Sequence, residues 1–166
     1  MTTVIALEPL TRAAFARFGD VIETEGSQHF ETNAGYAERF HDLARIDVEA
    51  EGGRPLVSIF RGQPRAHPLR LTLMERHPLA SQVFFPLHDR DWVVVVAAGP
   101  DPCAPHAVTA FRANGRQGVN YARGTWHHPL IVLTPDHEFL VIDRGDVEGN
   151  LEEMPFPDSA EVVLEL

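Results

Sequence analysis

Lysine is absent from this chain of 166 residues: all fourteen cations are arginines, set against twenty-four acidic residues, for a formal net charge of -10. Nucleic acid is a disfavoured partner for such a chain, because a polyanion is bound by a basic face that displaces its counterions. Cysteine is nearly absent too. Cys103 has no second thiol to pair with, which excludes an intrachain disulfide and fits a reducing compartment. Long apolar runs are also missing: the longest, Trp92 to Ala98, has seven residues, against the ~20 that a membrane-spanning helix needs. Residues Met1 to Arg12 carry Glu8 and no leading positive charge, unlike a secretory signal. The expectation is a soluble, cytoplasmic protein. No internal repeat, low-complexity stretch or linker-like segment interrupts the sequence, so one domain over residues 1–166 is expected.

What remains is an ordinary globular balance, 44% hydrophobic and 23% charged. The charge is uneven. Asp146, Glu148, Glu152, Glu153, Asp158, Glu161 and Glu165 follow Arg144 with no basic residue among them, and the stretch from Asp146 to Glu153 reads as a solvated acidic tail. Val162 to Leu164 suggests an added edge strand. An anionic small molecule remains acceptable wherever arginines gather locally.

Near the N-terminus Thr11 is placed to cap a short helix with Ala14, Phe15 and Phe18 on one face and Gly19 at its end. After residue 50 come short β-branched and aromatic runs broken by Pro, Gly and Asp: residues 56–61, 69–77, 82–87, 91–98, 107–112, 118–123, 127–133 and 137–143. Their spacing, without intervening helical patterns, predicts an all-β fold with minor helix, a sandwich or barrel.

In the second of these chemistry surfaces. Leu69, Leu71, Leu73, Glu75 and His77 recur at period two, so a continuous strand puts them on one face and leaves Arg70, Thr72, Met74 and Arg76 on the wetter one. A carboxylate carried inward needs a cation or several donors. The competing reading ends the strand at Glu75 and lets Pro78 open an exposed turn. Gln82 follows five residues after His77, and Trp126-His127-His128-Pro129 lies well downstream. Neighbouring strand residues face opposite ways, so only one of His127 and His128 enters a barrel. His29, His41, His67, His88, His106 and His137 are taken as surface or loop residues.

Glu75-x-His77-x4-Gln82 resembles the first cupin motif, His-x-His followed by Glu, and Gly124-Thr125-Trp126-His127 resembles the Gly-x-x-His of the second. In cupins these four positions converge on one metal inside a β-barrel. Glu75 and Gln82 depart from that pattern, leaving two imidazoles and two oxygens, a mixed set suited to Ni, Mn, Fe or Zn. Longer strings are more specific. Phe18-Gly19-Asp20-Val21-Ile22, Glu38-Arg39-Phe40-His41-Asp42-Leu43, Glu75-Arg76-His77-Pro78-Leu79, Val93-Val94-Val95-Val96-Ala97, Gly118-Val119-Asn120-Tyr121 and Leu140-Val141-Ile142-Asp143-Arg144-Gly145 together resemble the ureidoglycolate lyase family, also called ureidoglycolate hydrolase. That resemblance implies a cupin-like double-stranded β-barrel (jelly roll), a homodimer, and a carbon–nitrogen lyase of allantoin and purine breakdown that splits ureidoglycolate into glyoxylate and urea. It also implies nickel as the ion, held by Glu75, His77, Gln82 and His127.

Such a reaction needs a base for the substrate hydroxyl, an acid for the departing nitrogen and an anchor for the carboxylate. His77, His127 and Glu75 are the expected catalytic groups, either through a metal or by direct proton transfer with Glu75 orienting a histidine. Among Arg61, Arg76, Arg123 and Arg144, in or beside strands, Arg76 falls on the wrong face, and Arg61 and Arg123 are the expected anchors because a guanidinium forks onto a carboxylate. Tyr121 and Trp126 are expected to shape the pocket. The alternatives are another metal-dependent cupin, such as a dioxygenase or sugar isomerase, and a non-catalytic cupin that binds a small carboxylate.

Overall fold

A computed structural model of the chain describes residues 2–145, 148–159 and 161–166. It is mainly β. In chain order the strands are β1 (Thr2–Pro9), β2 (Gly19–Ile22), β3 (His29–Thr32), β4 (Ala37–Phe40), β5 (Arg54–Gly62), β6 (Leu69–Arg70), β7 (Leu73–Arg76), β8 (Gln82–Pro86), β9 (Trp92–Ala97), β10 (Val108–Ala113), β11 (Gly118–Tyr121), β12 (Trp126–His127), β13 (Ile131–Val132), β14 (His137–Gly145), β15 (Glu152–Pro155) and β16 (Glu161–Glu165). One short helix, α1 (Arg12–Phe15), is capped by the Thr11 hydroxyl, which accepts from the Ala14 amide at 3.2 Å. Phe15 and Phe18 are buried from this segment, but the chain leaves the helix before Gly19. That glycine opens β2 at φ 145, where a Cβ would lie on the Asn120 carbonyl, so only glycine allows the close approach to β11.

Two main sheets face each other. The larger runs β15-β7-β12-β9-β10-β1-β16-β6, with β13 also paired to β9; the smaller runs β2-β11-β8-β14-β5, and β3 and β4 form a separate two-stranded ribbon. Between the sheets Trp92, Val94, Val96 and Phe111 pack against Phe84, Val119, Tyr121, Phe139 and Val141, with Phe15 and Phe18 closing one end. The opposite face of the large sheet is buried as well, because the sheet curls and brings Leu69, Val162 and Leu164 against Met74, Val93, Val95 and Ala97. β9 is therefore buried on both faces, which is why it reads as an unbroken valine run with no alternation. This curled, two-layered sheet agrees with the cupin-like β class expected from the sequence.

Several local expectations are corrected. Residues 69–77 are two strands, since β6 pairs with β16 while β7 pairs with β12 and β15. The break at Leu71 and Thr72 resets the alternation: Met74, expected to be wet, is fully buried with Leu69 and Leu71, and Glu75 lies on the other face. The 127–133 run is likewise two strands, parted by residues 128–130. The acidic tail is exposed at Glu148, Glu152 and Glu153, as expected, but it is not without structure: β15 pairs with β7, and Glu152 meets Arg76 at 2.5 Å; Asp146 lies outside the described residues. Residues 162–164 belong to a strand between β1 and β6 rather than at an edge. His137, taken for a surface residue, is fully buried. The N-terminal β1 had no sequence signal because one side of it stays wet while its pairing is supplied by β10 and β16, distant in sequence.

Because β16 closes the second core, Leu164→Ala is expected to cost about 2–5 kcal/mol despite lying two residues from the end of the sequence. Urea unfolding of the variant measures this, and a shift below about 1 kcal/mol contradicts the packing described.

Candidate active site

The register of three strands assembles the site. β12 lies antiparallel to both β7 and β9 and sets His127 opposite Glu75 and Val96. On the facing sheet Tyr121 is opposite Gln82. The two sheets meet where the Tyr121 ring lies flat on the His127 ring, centroids 4.1 Å apart and planes 9° from parallel. The turn between β11 and β12 is fixed at both ends: the Gly124 amide donates to the His77 carbonyl at 2.9 Å, and the Thr125 hydroxyl donates to the Phe18 carbonyl at 2.9 Å. Gly124 sits at φ 75, a left-handed geometry that glycine adopts without strain.

Both imidazoles are oriented from behind. His77 Nδ1 lies 2.8 Å from the Asn150 carbonyl, and His127 Nδ1 lies 2.9 Å from the Thr125 carbonyl. A carbonyl only accepts, so each Nδ1 carries the proton and each Nε2 is left as a lone pair. Neither Nε2 has a hydrogen-bond partner among the described residues. One nitrogen of each ring and a Glu75 carboxylate oxygen lie within 4.8 Å of one another, with His127 Nε2 3.5 Å from Glu75 Oε1. Three acceptors thus face each other with no donor between them. Such a cluster is stable only if a ring takes up a second proton or a cation is shared, and a carbonyl behind each imidazole is the arrangement that holds a metal-ligating histidine in place. The donor set fits a divalent ion. Burial raises the Glu75 carboxyl, yet the facing His127, reinforced by His77 and His128, outweighs it and holds the carboxyl below its ordinary range.

Gln82 is buried beside this group. Its Nε2 donates to Asp143 Oδ2 at 3.4 Å, while Gln82 Oε1 and Asp143 Oδ1 have no partner. Glu75 and Gln82 line an open cleft of about 530 Å³ together with Phe60, Arg61, Arg65 and Leu130, within the size range of small-molecule sites. Tyr121 is buried, and burial, then the Glu75 charge, push its phenol far above its usual value, so it stays neutral.

The other expected residues are dispersed. Arg61 reaches the cleft but is committed to Glu138 Oε1, 2.7 Å from its Nη2 and 3.0 Å from its Nε. Arg123 opens on different cavities and pairs with Asp47 at 2.5 Å. Trp126 packs into the second core, with the Arg76 guanidinium 4.7 Å above its ring, so it backs the strand rather than the cleft. Arg144 is buried and its Nη1 donates to the Val48 carbonyl at 2.9 Å and to the Ala50 carbonyl. Sequence reasoning missed Asn150, whose carbonyl holds His77 and whose side-chain oxygen accepts from the Leu79 amide at 2.9 Å. No local pattern marks it. Asp143 and Arg65 were equally unmarked, although the polar Asp143 inside a strand pattern was a usable signal.

The sequence model of the family described as ureidoglycolate lyase matches residues 2–163. A protein of Burkholderia mallei named ureidoglycolate lyase is 57% identical over 155 residues, 93% of this chain and 91% of its own length. Ureidoglycolate lyase 1 of Rhizobium meliloti is 50% identical over 161 residues, covering 96% and 93%, and a ureidoglycolate lyase of Azotobacter vinelandii is 47% identical over 161 residues, covering 97% of each.

His128, next to the cluster, is buried, and burial pulls it down to about 4 from 6.5. The unfolded chain therefore takes up a proton there that the folded chain refuses, so the stability His128 contributes is complete above pH 6.5 and lost as pH falls toward 4. Urea unfolding at pH 7 and pH 5 is expected to show about 2 kcal/mol less stability at the lower pH from this group, and His128→Gln to flatten that part of the profile.

Proposed function

The chain belongs to the ureidoglycolate lyase family, and from that premise we propose that it cleaves ureidoglycolate to glyoxylate and urea at the Glu75, His77 and His127 cluster. The observation that carries this reading is the set of three acceptors that meet beside a cleft lined by one of them, Glu75, because the reaction begins by taking a proton. Ureidoglycolate is a carbinolamine. One imidazole Nε2 accepts the hydroxyl proton, the electrons of the O–H bond form the carbonyl of glyoxylate, and the C–N bond breaks toward the urea nitrogen. That nitrogen is a poor leaving group as an anion, so the same proton, held on the imidazolium, is returned to it. Atoms and charge balance with no water consumed. Glu75 stabilises the transient imidazolium, and the carbonyls of Thr125 and Asn150 keep each ring in the tautomer that presents Nε2. Stacking by Tyr121 orients His127, and its neutral phenol takes no part in proton transfer.

A divalent cation would be held by Glu75, His77 and His127 with Gln82 beside them, and would supply Lewis acidity to the substrate's hydroxyl and carboxylate oxygens. Oxygen-rich sites with two imidazoles suit nickel, manganese, iron and zinc alike.

A coupled assay with racemic ureidoglycolate is expected to release glyoxylate and urea in equal amounts without ammonia; stoichiometric ammonia would instead indicate hydrolysis of the ureido group. His77→Ala and His127→Ala are each expected to lower kcat by about 10²–10⁴. Metal analysis of the purified protein distinguishes a metal-held cluster from direct acid–base chemistry: the ion is expected at one per chain and absent from His77→Ala.

We also propose a homodimer joined along β5. Among the described residues that strand pairs only with β14, and it exposes Leu56, Val57, Ile59 and Phe60, apolar on both faces. Long apolar edges invite pairing with a second chain. Sedimentation is expected to give twice the chain mass for the native protein and a single chain for Ile59→Glu.

A further inference from the structure

The two arginines expected from the sequence to fork onto the substrate carboxylate are already occupied. Arg61 points both nitrogens of one edge at Glu138, and Arg123 pairs with Asp47 away from the cleft. Arg65 differs. It follows β5 in the loop toward β6, is half-buried, lines the same cleft as Glu75 and Gln82, and makes no ion pair with a carboxylate among the described residues.

We propose that Arg65 is the carboxylate anchor of the cleft, binding the α-carboxylate of a 2-hydroxy or 2-oxo acid through its guanidinium. The proposal rests on the lyase reading for the identity of that acid. The physical case is one of charge. An anion entering the cleft meets the Glu75 carboxylate, and the Arg61 charge is neutralised by Glu138, so a further cation is needed for entry to be favourable. A half-buried guanidinium with no resident partner loses little on engaging a carboxylate, and its planar fork fixes orientation by two parallel bonds. Anchoring one end there would leave the hydroxyl-bearing carbon to be turned toward Glu75 and the imidazoles.

Two measurements test this. Calorimetric titration with glyoxylate reads binding without turnover: Arg65→Met is expected to weaken it about 10- to 100-fold, the worth of a charge-assisted hydrogen bond, and Arg65→Lys is expected to recover part of the loss. With ureidoglycolate the same variants are expected to raise KM by a similar factor and change kcat less than 3-fold, the signature of binding lost equally from ground and transition states. Wild-type protein is further expected to favour ureidoglycolate over its uncharged primary amide, and Arg65→Met to lose that preference. Unchanged glyoxylate affinity in folded Arg65→Met and Arg65→Lys overturns the proposal, as does a 10-fold or larger shift in Arg61→Met with none at Arg65. If the wild-type protein binds glyoxylate through Arg65 but does not cleave ureidoglycolate, the lyase reading fails and the anchor stands.

Discussion

Three proton acceptors held face to face inside a protein repel one another, and the arrangement of this molecule follows from holding them there. Glu75 and His127 are neighbours across a strand pair, and His77 follows one residue beyond the end of β7. Neither imidazole can turn away. His127 is trapped between the Tyr121 ring and the Thr125 carbonyl, and His77 is tied through Nδ1 to Asn150. The electrostatic cost of this convergence is relieved by a proton or a cation, and that need is the chemical capacity of the site.

The rest of the fold supplies rigidity around it. β9 lies beside β12 and is buried on both faces, so the floor under His127 is close-packed from two sides and resists the displacement that would separate the acceptors. The tail returns through β15 to pair with β7, bringing Asn150 behind His77, and Arg144 fastens the chain near residues 48–50 from within. The cleft itself opens beside β5, an edge strand of the smaller sheet, which joins access to the site and the proposed contact between subunits in one region.

Periodicity and spacing carried part of this. The Glu75-x-His77-x4-Gln82 and Gly124-to-His127 strings identified the polar residues that converge, and the unbroken valines identified a central strand. Alternation failed at residues 69–77. It assumes one continuous strand with one set of partners, whereas Leu69 and Leu71 answer to β16 and Glu75 answers to β12. The inward placement inferred for Glu75 came from a face it does not share with those leucines. Asn150 and Arg65 were invisible for another reason: each contributes by where its loop ends in space, and nothing in a loop's composition encodes that.

The chain's residue types and their order settled the mainly β class and the capped turn at Thr11, because these follow from local backbone preference, and the resemblance to the cupin motifs singled out the acid and the two imidazoles that meet. Which arginines are spent on neighbouring carboxylates and which is left for a ligand, which face Met74 and Trp126 occupy, and which carbonyl fixes each imidazole tautomer were decided only by tertiary structure. Those outcomes depend on the register between strands distant in sequence, and a register is a property of paired segments that neither segment contains alone.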